Sequence, residues 1–323
     1  MLRKIAAAAA LLGVLFAGAI ALAAGYPDRT VTIVVGFPPG GASDILARIV
    51  AEKLGGILGQ PVIVDNRPGA GGSVAGEVVA HATPDGYTLL LGNNAILATN
   101  VSLYQKVDFD PLKDFAPISL IGTQANVLVV NNDVPAHSLT ELIALAKANP
   151  GKLNFASSGY GLAAHLAGEL FKTEAHIDIV HVPYKGSAPA LEDVIAGHDQ
   201  MMFATTSGVM GFLANHQVRA LAVTTLKRTA VLPDIPTMNE AGLPGFEATT
   251  WHGLVAPAGT PPAVIETLHR ALVETLKDAG VQKKLAALGV DIAPDTPEQF
   301  GAYIKSEIPK WAAIIKASGA KME

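Results

Sequence analysis

The chain contains no cysteine, which removes disulfides, thiolate nucleophiles and thiolate metal ligands together. Only 6% of its 323 residues are aromatic and 16% charged, whereas half are hydrophobic, mostly Ala, Val, Leu and Ile. That composition suits layered α/β packing. Charge of one sign is scarce as well: 23 basic against 28 acidic residues give −5, and no basic patch marks a nucleic-acid or headgroup surface. No lysine lies between Lys4 and Lys53, no H-E-x-x-H occurs, and no His/carboxylate cluster has metal-ligand spacing, so neither cofactor nor metal is expected. After the first 23 residues there is no apolar run of about 20 residues, the length that spans a bilayer.

What is present begins with an export signal. Arg3 and Lys4 precede the uncharged "IAAAAALLGVLFAGAIALAA", and Ala21-Leu22-Ala23 fits a small-x-small cleavage site. Residues 1–23 are therefore read as a signal peptide cleaved near Ala23/Ala24, in preference to a retained membrane anchor. Without Arg3 and Lys4 the formal charge becomes −7. The mature chain is expected to be periplasmic, soluble and monomeric.

From Tyr26 short apolar runs alternate with helical patterns, which predicts parallel sheets flanked by helices. "TVTIVVGF", "PVIVDN" and "YTLLLGNN" read as strands, with helices at "SDILARIVAEKLGGIL" and "VAGEVVAHA" between them. A second series follows: strands at "ANVLVVNN", "LNFASS", "IDIVHVPY" and "RALAVTT", helices at "SLTELIALAKAN", "LAAHLAGELFKTEA" and "APALEDVIAG". Three amphipathic helices close the chain after "TTWHGLVAPAGTPP". Two similar α/β domains follow, with ligands expected beyond the carboxyl ends of their strands.

"VVGFPPGGASD", residues 34–44, is a strand end, a glycine loop and a helix start. It is no P-loop, which requires Gly-Lys-Ser/Thr, and Pro38 breaks the dinucleotide fingerprint from Gly36, as Val74 breaks the one from Gly69. A nucleophile elbow needs G-x-S-x-G, which neither Ser43 nor Ser158 satisfies. A secreted serine hydrolase using Ser43 or Ser158 with His165 or His252 stays as the alternative from another class. What the loop does suit is a carboxylate: glycines permit close approach, Ser43 or Asp44 can cap the helix, and the free N–H groups there carry positive potential. Asp44 is read first as a cap, because a carboxylate beside a carboxylate ligand repels it. "NFASSGYGLAAHLAGEL" repeats strand, Ser157-Ser158-Gly159, Gly161 and helix in the second series, and "FATTSG" either adds hydroxyls from Thr205, Thr206 and Ser207 to the site or is only a polar turn after a strand. Replacing Gly41 or Gly161 by a β-branched residue should therefore weaken binding and leave the fold largely intact.

The same segments, with "HVPYKGSAPALEDVIAG", "LPDIPTMNEAGLPGFEATTWHGLVAPAGTPP" and Lys310-Trp311, resemble the Bug, or TctC-like, extracytoplasmic solute receptors across essentially the whole mature chain. The resemblance implies a non-enzymatic receptor with a type II periplasmic binding fold: domain I from 24–125 and 248–323, domain II from 126–247, hinges near 122–128 and 246–253. It also implies capture of a small organic carboxylate and delivery to a tripartite tricarboxylate transporter, or else to a signalling partner. Carried over by motif, the site residues are Phe37, Gly40, Gly41, Ala42, Ser43 and Asp44 from the first loop, Ser157, Ser158, Gly161 and His165 from the second, and Thr205 and Thr206. Many relatives have an acid after the phenylalanine of the Phe203 strand; Ala204 stands here, which favours a ligand without an ammonium group.

Overall fold

The computed structural model describes residues 25–321; the export signal read in residues 1–23 lies outside them. Two sheets organise the chain. The first has the order β11-β4-β10-β3-β1-β2, formed by β1 (Val31–Val35), β2 (Val62–Asn66), β3 (Thr88–Asn93), β4 (Phe115–Gln124), β10 (Thr250–Pro257) and β11 (Val290–Ile292). The second has the order β7-β6-β8-β5-β9, from β5 (Asn126–Val130), β6 (Asn154–Ser157), β7 (Val180–Pro183), β8 (Met201–Thr205) and β9 (Arg219–Val223).

Strands that are apolar at nearly every position are buried on both faces. In β1, Val31, Ile33 and Val35 join one core with Leu46, Val50 and Leu54 of α1 (Ala42–Leu58) and Leu268 and Leu272 of α8 (Pro262–Lys277). Val34 turns to the other face and a second core that reaches Trp251 and Trp311. The second sheet divides likewise: Leu128 and Phe203 face α5 (Ala163–Ala175), while Val127, Val129 and Ala204 face Leu191 and Val194 of α6 (Ser187–Ala196). Each fully buried Val or Leu side chain contributes about 1.5–3 kcal/mol.

The sheets are mixed, where the alternating pattern predicts parallel ones. β1 to β3 are parallel, but β10 runs antiparallel to both β3 and β4; in the second sheet β5 runs against β8 and β9. Of the reversed strands, β5 and β10 are the ones that cross over, whereas β11, antiparallel to β4, does not. β4 leaves the first sheet at its carboxyl end and, after Ala125 alone, becomes β5; the chain leaves β9 at the same kind of end and returns as β10. A chain entering a sheet from the carboxyl-end side has to run back against its strands.

Register then fixes where those ends lie. Asn93 pairs with His252, and His252 with Gly122, close to the crossing; just beyond it Asn126 pairs with Thr205. The carboxyl ends of β3 and β8 thus flank the crossing between the sheets. Hydrogen bonds tie the two connections together: Asn126 N donates to Thr224 Oγ1 (2.9 Å), Asn126 Nδ2 to Ala248 O (3.0 Å) and Ala248 N to Thr224 O (3.0 Å). The last helix, α10 (Pro297–Ser318), packs on both β4 and α5. Its buried Glu307 accepts from the indoles of Trp251 (3.1 Å) and Trp311 (2.8 Å) and pairs with Lys310 (2.8 Å). No described helix is long and apolar enough to cross a membrane.

Candidate functional site

The first loop ends β1 and opens α1. Gly40 has φ +81, with open space where a side chain would stand, and Gly40, Gly41 and Ala42 are exposed. The helix is capped by Gly41 without a side-chain bond, so capping by Ser43 or Asp44 is not what forms. They occupy the second and third helical positions, two and three residues past the place from which a side chain reaches the N2 and N3 amides. Among the described residues, no acceptor meets the backbone N–H of Ala42, Ser43 or Asp44. A free, exposed helix start of this kind attracts an anion.

Asp44 works behind that start. It is 2% exposed, and its carboxylate accepts from Gly40 N (2.9 Å), Arg48 Nε (3.0 Å) and Asn66 Nδ2 (2.9 Å), with an Arg48 ion pair at 2.9 Å. Arg48 lowers its pKa to about 2, aided by Gly40 and Asn66. The guanidinium offsets a negative charge that would otherwise oppose an anion at the same helix end. Asn66, at the end of β2, also donates to Phe37 O (3.0 Å), so loop, helix and neighbouring strand are locked together. Sequence reading missed Arg48 and Asn66; the Asp-x-x-x-Arg spacing on one helix face was the available signal.

A third glycine loop, 69–72, lies in a stretch read as a loop and not as a nucleotide motif. It underlies the first: a Cβ on Gly36 would stand 2.7 Å from Gly72 Cα. Asn100, from the one-turn helix α3 (Asn100–Leu103), fastens it through Ala70 O, Gly71 O and Ser73 Oγ. Leu103 of α3 presses on Gly161, so α3 joins the first two loops to the second domain's loop.

That loop ends β6 and opens α5. Its cap, Leu162, again supplies no side-chain bond, and the N–H groups of Ala163, Ala164 and His165 meet no acceptor among the described residues. Gly161 (φ +73) donates its N–H to His165 Nδ1 at 2.9 Å. His165 is 2% exposed and stacks on His181 at 4.1 Å, and Tyr160 sets its ring edge-on to both. Ser157, fully buried, holds His181 Nε2 at 2.6 Å and receives Gly159 N at 3.2 Å. Burial lowers His165 to about 4; burial, then the neighbouring His165 and Lys172, lowers His181 to about 3. Both rings are neutral near pH 7. His181 and Tyr160 were not anticipated.

The residues expected to touch ligand therefore divide. Gly40, Gly41, Ala42 and Thr205 are exposed, Phe37, Ser43 and Ser158 half-buried, and Asp44, Ser157, Gly161, His165 and Thr206 buried. Thr206 starts a helix, α7 (Thr206–Ala214), in place of the polar turn that was one of two readings, and its hydroxyl donates to Ala125 O (2.7 Å) at the crossing. The Gly161 substitution also reads differently: its positive φ and the contact with Leu103 leave no room for a β-branched side chain, whereas Gly41 has φ −76 and meets only Pro38 O at 3.4 Å.

One arrangement touches the hydrolase alternative. Ser43 Oγ lies 3.0 Å from His252 Nε2, but His252 Nδ1 is buried without a partner, so no carboxylate orients the ring. A working triad needs that third group. His165 Nδ1 is occupied with Gly161 N–H.

Comparisons with known proteins show the family of the chain. The family described as "Tripartite tricarboxylate transporter family receptor" matches residues 46–320. Protein BugT of Bordetella pertussis is 39% identical over 92% of both chains. Among solved structures, the Rhodopseudomonas palustris protein Rpa4515 with adipate is 36% identical, covering 92% of this chain and all of its own, with TM-score 0.77. MatC from the same organism, with bound malate, is 33% identical over 90% of this chain and all of its own, with TM-score 0.72. The chain belongs to the tripartite tricarboxylate transporter receptors, the Bug or TctC family of periplasmic solute-binding proteins, and is a receptor and not an enzyme.

Proposed function

We propose that this receptor closes on a small organic carboxylate between its two sheets and delivers it to the membrane subunits of a tripartite transporter. The observation that carries the reading is the pair of uncapped helix starts, α1 and α5, each opened by a glycine loop at the carboxyl end of its sheet. Six free amides on two bodies can hold the two sides of one anion without any arginine. Phe37, the 40–43 backbone and Thr205 supply the contact surface, and Asp44, Ser157, His165 and Thr206 hold the loops in shape. The adipate and malate bound by the two relatives are of the same chemical class.

Domain I is 24–125 with 248–323 and domain II is 126–247, hinged near 122–128 and 246–253. The single-residue crossing at Ala125 and the Asn126–Thr224–Ala248 hydrogen bonds support that division. Ligand drives closure only by binding the closed state better than the open one. The protein is exported, its signal peptide removed, and acts as a monomer in the periplasm.

Calorimetry of the mature protein against a panel of mono-, di- and tricarboxylates tests the reading. At one hundred times Kd a true ligand adds about 2.7 kcal/mol of stability. No stabilisation by any member of the panel overturns the carboxylate assignment. Capture of transporter subunits by the loaded receptor tests the partner, and capture of a sensor domain instead would redirect it to signalling.

A further inference from the structure

His252 sits in β10 between Asn93 of β3 and Gly122 of β4 and is 2% exposed. Its Nε2 lies 3.0 Å from Ser43 Oγ, and its Nδ1 is buried with no partner. Burial lowers its pKa to about 4, so near pH 7 the ring holds one proton to be placed on one of two nitrogens.

With the proton on Nδ1, a buried N–H points at nothing, and a bare Nε2 draws the Ser43 hydroxyl hydrogen inward. With the proton on Nε2, that N–H donates to Ser43 Oγ, and the orphan at Nδ1 is only a lone pair. Orphaned buried donors are rarer than under-satisfied acceptors, which favours the second arrangement. Ser43 Oγ then accepts from the ring and turns its own hydrogen away from it. Ser43 is half-buried beside exposed Ala42 and carries a free N–H of its own, so the hydrogen turns to the open side, alongside the amides of Ala42 and Asp44.

We propose that His252 is a positioning residue whose Nε2–H fixes the Ser43 hydroxyl as a donor to the bound carboxylate, making the first loop a donor-only subsite. This rests on the carboxylate reading above. Such a subsite accepts two ionised carboxylate oxygens and rejects a hydroxyl or amide N–H at the same place, because donor would face donor. The opposite loop has no equivalent: Ser157 also meets an imidazole, but it is fully buried and already receives Gly159 N.

Two measurements on the mature protein decide the matter. In ligand-free protein labelled with 15N-histidine at pH 7, the His252 signals, assigned by their loss in His252→Gln, should show a protonated Nε2 and a bare Nδ1. The reverse pattern overturns the proposal, whatever the protein binds. Calorimetry with adipate and with malate then follows Ser43→Ala, His252→Phe and the double variant. Each single change should weaken binding about tenfold or more, the worth of a hydrogen bond to a charged group. The double variant should be no weaker than Ser43→Ala, and His252→Gln, whose amide can donate from a similar place, should recover most of the loss. Losses that multiply in the double variant would show independent roles and overturn the coupling. If the wild type binds neither acid nor any other carboxylate, the function reading fails, and the tautomer still reports on His252 separately.

Discussion

The two glycine loops present similar backbone surfaces and are braced in different ways. Behind the first stands a charged set: Asp44 holds Gly40, Arg48 and Asn66. Behind the second stands a neutral stack: His165 holds Gly161, rests on His181, and His181 holds Ser157. Backbone presentation repeats because both loops meet the same demand, free amides at a helix start. The support differs because each is built from whatever its own sheet and helix place nearby. Charge, sterics and acid should therefore act on the two loops unequally.

The largest difference should come from adding a side chain. Gly161→Val meets Leu103 and a φ of +73, which costs a branched L-residue about 1–2 kcal/mol before any clash, and overpacking adds about 1–3 kcal/mol. Gly41→Val meets neither obstacle. Thermal unfolding should show a Tm drop of several degrees for Gly161→Val and little change for Gly41→Val, although ligand affinity falls in both. Equal Tm values would show that Leu103 yields and that the second loop is as open as the first.

Next in size is the loss of the charged brace. Asp44→Ala removes the carboxylate's hydrogen bonds from Gly40, Arg48 and Asn66, a cost of about 1–3 kcal/mol. Affinity should fall with stability, since the amides at 40–43 lose their anchor. Arg48→Met tests the electrostatic half of the argument: it leaves an uncompensated carboxylate at the helix start, and ligand affinity should fall more than Tm does. A variant that binds as well as wild type would mean that Asp44 carries no repulsion for Arg48 to cancel.

These contrasts also show what the sequence made legible. Both loops stand out in sequence because strand, glycine loop and helix are each local patterns. The braces are not local: Asn66 is 22 residues from Asp44, His181 is 24 from Ser157, and His252 is 209 from Ser43. Only strand register brings them together, and register was unreadable in β4 and β10, whose apolar runs carry no period that separates strand from loop. The same gap hid the reversed strands. Asp44 and Ser43 were taken for caps because composition at a helix start does not reveal which position is Ncap. His165 entered the expected site only through the family motif, and no local pattern shows that its Nδ1 accepts the Gly161 N–H.

The smallest effect is acid sensitivity, and it sharpens the comparison most. The second loop rests on two histidines lowered to about 4 and about 3, while the first has only His252, at about 4. A histidine lowered on folding binds its proton more readily in the unfolded chain. Between the ordinary value near 6.5 and the lowered one, the unfolded state therefore holds more protons, and stability falls as pH falls. Above about 6.5 the stabilisation is complete, and it is lost progressively toward pH 4. Denaturation of the ligand-free protein between pH 7.5 and 4.5 should show that decline. His181→Phe, which keeps a stacked ring on His165 but forfeits the Ser157 contact, should flatten it, and so should His252→Phe, because each removes one histidine that takes up its proton mainly in the unfolded chain. A slope unchanged in His181→Phe would mean that the acid response arises elsewhere and that the neutral stack is no weaker against protons than the charged brace.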